Sequence, residues 1–523
     1  MFMEKQNVRQ LLKEIEEKRK IYQLGGGSGA VAKQHKKGKL TARERLNLLF
    51  DEGTFQELNL WALPFRTGYE IDEKFSPGDA VVTGYGQVDG RTVMAYAHDF
   101  TVLTGTQSTG QHAKINRIME GAVKAGVPYV GIADSAGVRL QDGMGQPGVR
   151  PPSDGIGLHG SGSYMYSPPQ ASGVVPQIAV MLGPQFAGSS YSPILKDFLI
   201  MREETSYACL ASPPVIKTVS GIDVSIEELG GAMVHAKITG TCDKVVQSDE
   251  EGMLFCRKLL NYWPSNWREN PPVIDLDDSP YRREEKLLDI VPFDLTQGYE
   301  MRDLITMLVD RGEFTETKEF YAPSIITGFA RIGGQSVGII ANNPTVHLGR
   351  LDMDTSDKEA RFIRFCDAFN IPLVFLADTI GFLPDTQKQA LGLERHAAKP
   401  AYALCEATVP KITVYIRNCS NWGELVMGTE QMGVDLVVAW PNAQIGRVEA
   451  ENASKQFYVQ EMGEKELEAV LTRYNDIYYA GSRNLFNDII DPRETRATIY
   501  RALTWLKKKS EKRPWKKHDN MPL

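Results

Sequence analysis

GVPYVGIADSAG (126–137) and NIPLVFLADTIG (370–381) carry one signal twice. Each holds a proline, a short continuous apolar run, an aspartate and a glycine, which predicts a strand buried on both faces that ends in a tight turn. The likeness spreads outward. VTGYGQVDGRTVMAYA (82–97) matches ITGFARIGGQSVGIIA (326–341), and each copy alternates apolar and polar residues on both sides of a glycine turn, the pattern of a β-hairpin. Gly84 and Gly328, Pro128 and Pro372, Asp134 and Asp378, and Gly137 and Gly381 all stand 244 residues apart. Farther on the spacing falls to 234, where Pro176 of GVVPQIAV matches Pro410 of ATVPKITV.

Between hairpin and strand lie HAKINRIMEGAVKAG (112–126) and DKEARFIRFCDAFN (357–370), with apolar residues at three and four spacing. Each half is therefore predicted to repeat a strand, strand, helix unit whose helical crossovers join parallel strands. The expected architecture is two α/β domains of one fold, residues 1–270 and 286–523. They are joined through NWRENPPVIDLDDSPYRREEKL (266–287), a Pro-, Asp- and charge-rich stretch that suits a linker.

Composition narrows the function. The chain has 523 residues, 42% of them apolar, enough for more than one core. A net charge of −7 supplies no basic field to draw nucleic acid or an anionic membrane. The six cysteines are scattered without CxxC spacing, which argues against a zinc ribbon or a disulfide framework and fits a reducing cytoplasm. The charged first residues are unlike a signal peptide, and no apolar run approaches the ~18 residues of a membrane span, so no membrane insertion is expected. The eight histidines include no HxxxH pair, so a protein-bound metal is not indicated.

Two motifs are set aside. GIGLHG (155–160) follows RPPSD where a dinucleotide fingerprint needs a strand. GQSVG (334–338) lies between two strands, so Ser336 is a hairpin residue and not a nucleophile elbow. The basic KKKSEKRPWKKHD (507–519) is expected to be a solvated tail.

The turns after the next pair of strands carry the chemistry. GPQFAGSSYSPIL (183–195) follows IAVML, and RNCSNWGELVMG (417–428) follows ITVYI. Small residues there predict a turn opening a helix, whose unpaired N–H groups can bind an oxyanion.

Here the residues carry a resemblance. KQHKKGKLTARERLNLLFDEGTF (33–55), TVSGIDVSIEELGGAMVH (218–235), ARFIRFCDAFNIPLVFLADTIGFLP (360–384), EATVPKITV (406–414) and KKHDNMPL (516–523) resemble the carboxyltransferase β subunit of biotin-dependent acyl-CoA carboxylases of the propionyl-CoA carboxylase type. The resemblance implies two tandem crotonase-like (ClpP/crotonase, ββα superhelix) domains. It also implies a homohexamer with active sites between domains of facing subunits, and movement of a carboxyl group between biotin and the α-carbon of an acyl-CoA. Two oxyanions arise in that reaction, which accounts for two turns. By position the first pair of donors falls on Ala187 and Gly188, and the second on Trp422 and Gly423, where the family has Gly-Gly-Ala-Tyr and this chain has Asn421-Trp422-Gly423-Glu424. Gly105, Gly137, Tyr191 and Gly381 are expected to line the substrate sites. Leu425 stands where propionyl enzymes tend to carry Asp, and an apolar residue there favours a bulkier or more apolar acyl chain.

A further departure is DGMGQPGVRPPSDGIGLHGSGSYMYSPPQ (142–170), whose Gly, Pro and Ser content predicts an ordered loop shaping the acyl pocket and not the family's helix. For KQHKKGKLTARER (33–45) two readings stand: Lys39, Arg43 and Arg45 meet the phosphates of coenzyme A, or the stretch is a solvated helix start after Thr41. No Met-Lys-Met site and no ATP-binding half is present, so biotin is expected on a separate biotin carboxyl carrier protein charged by a biotin carboxylase subunit. A biotin-dependent decarboxylase subunit, and a CoA-ester-binding subunit that has lost biotin transfer, are the alternative readings.

Overall fold

Two residues with positive φ close each hairpin, Asp89 and Gly90 (49° and 76°) in the first half and Gly333 and Gly334 (60° and 78°) in the second. A turn of two left-handed residues matches the twist of the strands it joins. The computed structural model describes residues 7–65, 69–139, 141, 163–446, 465, 468–469, 472–473 and 476–522. It divides into two compact units, Met1–Asn261 with Ser265–Trp267, and Tyr262–Pro264 with Arg268–Leu523.

The first unit is built on a sheet of β1 (Gln56–Leu58), β2 (Val81–Val88), β3 (Arg91–His98), β4 (Tyr129–Ala133), β5 (Gln177–Met181), β6 (Phe198–Arg202) and β7 (Lys244–Val246), in that spatial order. The second repeats it with β8 (Thr315–Thr317), β9 (Ile325–Ile332), β10 (Gln335–Asn342), β11 (Leu373–Thr379), β12 (Lys411–Ser420), β13 (Leu436–Ala439) and β14 (Asp488–Ile489). The first three strands of each sheet are antiparallel and the rest parallel. Register repeats to the residue: Met94 faces Tyr129 in one sheet, and Gly338 faces Leu373 in the other. Strands β4, β5, β11 and β12 are buried along their whole length, as continuous apolar runs require.

Polar clamps repeat as faithfully as the strands. Helix α1 (Ala42–Leu49) precedes β1, and α2 (Thr109–Ala125) crosses from β3 to β4. In the second unit α5 (Met301–Leu308) and α6 (Met353–Ala368) hold the same places, with α3 (Ser163–Ala171) and α4 (Asp249–Tyr262) between them in the chain. Arg43 of α1 makes a two-pronged bond to Glu57 of β1, at 3.1 and 2.7 Å. Arg302 of α5 makes the same bond to Glu316 of β8, at 2.7 and 2.7 Å. Asp51 accepts the N–H groups of the first hairpin turn and Asp310 those of the second. Arg257 links Asp51 to the Leu49 carbonyl, and Arg496 links Asp310 to the Leu308 carbonyl.

One expectation is corrected and another refined. The stretch 142–170 is not loop throughout: residues 142–162 lie outside the described residues, and Ser163–Ala171 is the helix α3 despite Pro168 and Pro169. Ser167 Oγ donates to Asn116 Oδ1 on α2 (3.2 Å) and Gln177 Nε2 to the Pro168 carbonyl (2.9 Å), so tertiary bonds offset the prolines' missing donors. The basic C-terminal stretch is solvated as expected, with residues 510–518 all exposed, and is tethered by a few side chains: Lys509 pairs with Asp435 (2.8 Å), Arg513 donates to the Ala407 carbonyl, and Lys516 pairs with Glu406.

One substitution between the halves sits in a core. Glu359 on α6 is fully buried where Ile115 fills the matching place on α2. Neither of its carboxyl oxygens has a hydrogen-bond partner among the described residues, and burial pushes its pKa well above the ordinary carboxyl value of 4.5. The folded state therefore keeps a proton that the unfolded chain releases above pH 4.5, so stability falls as pH rises, by about 1.4 kcal/mol per pH unit until the folded group ionises. Glu359→Leu is expected to raise the calorimetric midpoint, and by more at pH 8 than at pH 5; an equal gain at both would show that the carboxyl is compensated.

Candidate active site

Each fourth strand ends in an aspartate, a hydroxyl residue and a glycine. In the first unit these are Asp134, Ser135 and Gly137, and in the second Asp378, Thr379 and Gly381. Gly137 and Gly381 take φ of 107° and 93° and donate their N–H to Ser135 Oγ and Thr379 Oγ1, each at 3.1 Å. The segment ahead of the crossover helix lies beside this turn: Gln107 donates to the Gly137 carbonyl (2.8 Å), and Leu351 to that of Gly381 (3.0 Å). Gly105 and Gly349, at φ 67° and 70°, pass so near the Asp134 and Asp378 carbonyls that a β-carbon would stand 2.3 Å from either oxygen. Glycine is required at both. Gly349 was legible from the 244-residue spacing to Gly105 but drew no attention in the sequence.

The turns read from the sequence as oxyanion sites follow β5 and β12. Ala187 has φ 54° and begins a 3₁₀ turn, Ala187–Ser190, that runs into the helix Tyr191–Ile194. Asn421 and Trp422 have φ 53° and 68° and precede the helix Gly423–Val426. Left-handed backbone at non-glycine residues costs about 1–2 kcal/mol each, so neighbouring bonds must hold it. Ser189 Oγ donates to the Phe186 carbonyl (2.6 Å) and Ser190 Oγ to that of Ala187 (2.7 Å). Asn421 Nδ2 donates to the Ile380 carbonyl (3.0 Å). Both helices are only four residues long, so the N–H groups themselves, and not a macrodipole, supply the positive end.

The two turns differ in tightness. A β-carbon on Gly137 would lie 3.9 Å from Phe186, an ordinary contact, whereas one on Gly381 would lie 2.4 Å from Asn421 Cβ. One on Gly423 would meet Thr379 Cγ2 at 2.7 Å and Gly381 Cα at 3.0 Å. The first unit has Ser135 and Ser189 where the second has Thr379 and Gly423, so a methyl gained on one side is matched by a side chain lost on the other. Gly188 faces Met165 of α3, where a β-carbon would come within 3.2 Å. The Tyr191 ring and the Trp422 indole are half exposed, at 45% and 52%. Leu425, with Glu424, Tyr415, Ile445 and Leu485, lines a cavity of about 80 Å³.

Beneath the turns lie buried charges. Asp134 takes Lys39 Nζ (2.7 Å) and Arg45 Nη1 (2.8 Å), while Arg45 Nε also reaches Asp249 (2.7 Å). Asp378 takes Arg417 Nε (3.1 Å), the Tyr299 hydroxyl (2.8 Å) and the Asn418 N–H (2.9 Å). Burial pulls the Lys39 pKa down against the pull of Asp134. Burial also opposes the Arg45 charge, but Asp134 and Asp249 outweigh it and hold its pKa above the ordinary value. The helix start after Thr41 is as the sequence reading has it, with Thr41 and Glu44 forming a capping box, but the three cations are paired inside the fold and not solvated. Lys39 and Arg45 are internal counter-ions, and Arg43 is spent on Glu57 as its counterpart Arg302 is on Glu316. Among the described residues no group of three or more His, Cys, Asp or Glu is placed to hold a metal ion, and no helix is long and apolar enough to cross a membrane.

Comparison with known proteins agrees with this geometry. A model of the carboxyl transferase domain matches residues 33–521. The propionyl-CoA carboxylase beta chain of Roseobacter denitrificans is 40% identical over 99% of this chain and 100% of its own. The methylmalonyl-CoA decarboxylase subunit alpha of Veillonella parvula is 41% identical over 99% of each. A crystal structure of transcarboxylase 12S, a hexamer with methylmalonyl-coenzyme A and methylmalonic acid bound, superimposes with a TM-score of 0.94 at 40% identity, over 99% of this chain and 100% of that one. Two crotonase-like units, each ending its fourth strand beside a turn that opens a short helix, and a match from end to end place this chain in the carboxyl transferase domain family.

Proposed function

We propose that the chain is the carboxyltransferase subunit of a biotin-dependent acyl-CoA enzyme, moving a carboxyl group between biotin on a separate carrier protein and the α-carbon of an acyl-CoA. The observation that carries this reading is the duplicated turn, which offers one cradle of backbone donors to each of two oxyanions. Biotin, arriving on another chain, supplies the carboxyl group and takes up the α-proton. The N–H groups of Ala187 and Gly188 donate to one developing oxyanion and those of Trp422 and Gly423 to the other, each donor contributing roughly 3 kcal/mol at the transition state. Gly105, Gly137 and Tyr191 surround the first cradle and Gly381 the second. Transfer is reversible and its direction belongs to the partners, in accord with carboxylase and decarboxylase subunits standing at 40% and 41% identity. The likeness to a hexameric core supports a homohexamer; on this reading its partners are a biotin carboxyl carrier protein and a biotin carboxylase subunit, in the cytoplasm. Leu425 itself, and not its cavity, which Glu424, Glu430 and Asn484 also line, supports an acyl group more apolar than propionyl.

Release of CO2 from malonyl-, methylmalonyl-, larger α-carboxyacyl- and glutaconyl-CoA, with and without free biotin, tests the reading on the purified chain. Biotin-stimulated release is expected, strongest with an apolar acyl group; no release from any ester under conditions where a relative is active would overturn it. Gly423→Ala is expected to lower kcat by ~10-fold or more, because Thr379 must shift and carry the turn with it. Adding Thr379→Ser removes the obstructing methyl and is expected to restore activity to within about 5-fold, given the donor role assigned to this turn; failure of the rescue would show that the methyl is not the obstacle. Trp422→Gly is expected to relieve about 1 kcal/mol of backbone strain, seen as a higher thermal midpoint, and to raise the biotin-stimulated rate by widening the approach to the second cradle. An unchanged rate would show that the indole does not narrow it.

A further inference from the structure

Asp134 and Asp378 hold the same place in the two units, and both are fully buried. Each ties three segments together. The backbone N–H of Asp134 donates to His98 Nδ1 (3.3 Å) at the end of β3, and that of Asp378 to Asn342 Oδ1 (3.0 Å) at the end of β10. Each carbonyl lies against the glycine, Gly105 or Gly349, that precedes the crossover helix. Each carboxylate reaches the strand that runs into the oxyanion turn: Asp378 Oδ1 accepts from Asn418, three residues before Asn421, and Asp134 Oδ1 presses on Gly183, four residues before Ala187.

The source of the compensating charge differs. Arg417, on β12, answers Asp378 and is itself held by the Asp294 and Gln297 carbonyls at 2.9 Å each. The matching residue in the first unit is Gly183, where a β-carbon would stand 1.8 Å from Asp134 Oδ1. No side chain fits there, and the cations come instead from Lys39 and Arg45, ahead of the first strand of the sheet. Buried ion pairs stabilise little compared with apolar packing of equal volume. What the two units share is therefore the placed carboxylate and not a particular pair.

We infer that Asp134 and Asp378 are positioning residues, each fixing the oxyanion turn of its own unit, with Lys39 and Arg45 acting through the first and Arg417 and Tyr299 through the second. The kinetic consequence rests on the carboxyltransferase reading; the structural one does not. The test compares Asp134→Asn, Asp378→Asn and the milder Tyr299→Phe with Glu316→Gln, which breaks a clamp on the edge strand β8. Hydrogen exchange resolved by residue is expected to quicken at least 10-fold at 419–424 in Asp378→Asn with 185–190 unchanged, and the reverse in Asp134→Asn. Tyr299→Phe, which keeps the ion pair and so the fold, is expected to repeat the Asp378→Asn pattern at about 3-fold. Kinetically the two aspartate variants are expected to affect different substrates, one raising KM for the CoA ester and the other for free biotin, while Glu316→Gln lowers the thermal midpoint without either change. Exchange that quickens in both turns alike or in neither, or activity that follows the thermal midpoint across all four variants, would overturn the inference. An inactive wild type would defeat the carboxyltransferase reading and leave the exchange comparison to decide this one.

Discussion

A carboxylate with no water around it needs a donor at each oxygen, and both units of this chain bury one at the end of the fourth strand. Much of the surrounding architecture follows. In the first unit the need draws in the segment that carries Gln34, Lys39 and Arg45, and Arg45 shares itself with Asp249, which also takes Arg202. In the second it fixes Arg417 and Tyr299, and through Arg417 the carbonyls of Pro292, Asp294 and Gln297. Removing one member of such a set leaves a buried charge alone, at about 3–5 kcal/mol. The segments ahead of β1 and β8 are thus bound into the sheets' functional edge and are not trimmings on it.

Because the chain contains its fold twice, each half serves as a comparison for the other. The two-pronged bonds Arg43 to Glu57 and Arg302 to Glu316 survive in both, as do the aspartates that cap the hairpin turns and the arginines that hold them. Those interactions secure edges and corners that every copy of the fold must have. Divergence gathers elsewhere, at the turns after β5 and β12 and the counter-ions beneath them, where the proposed function asks for two differently shaped cradles. Glu359 opposite Ile115 is the exception, a divergence inside a core with no donor to meet it among the described residues.

The hairpins, the crossover helices and the buried strands were legible because their copies stand at one constant spacing of 244, and register across a sheet cannot slip without turning every side chain over. The α1 and α5 segments were not seen as copies. They repeat at a different spacing, 259, and the identities that mark the match, Arg43, Leu49, Asp51, Gly53, Phe55 and Glu57 against Arg302, Leu308, Asp310, Gly312, Phe314 and Glu316, are scattered singly along the segment. Missing it left Arg43 looking like a free cation in a basic run, when its partner Glu57 lies fourteen residues on and is brought near only by the sheet edge. Lys39 and Arg45 misled for the same reason, since their partner Asp134 is remote in the chain. Helix α3 was missed because two prolines outweigh a short helical pattern until the bonds to Asn116 and Gln177 are known.

The two turns also show what a departure from the family pattern does and does not change. Trp422 does not choose a left-handed backbone; its neighbours impose one, with Asn421 tied to the Ile380 carbonyl and Gly423 pressed on Gly381. Trp422 is half exposed in that turn. The direction of the N–H groups is then a property of the left-handed turn and not of the residue at 422. A large side chain can replace a glycine at the cost of strain without turning the donors away. On the proposed reading, what it alters is the approach to them, so that the chemistry of the cradle and the choice of what reaches it are set by different atoms of one residue.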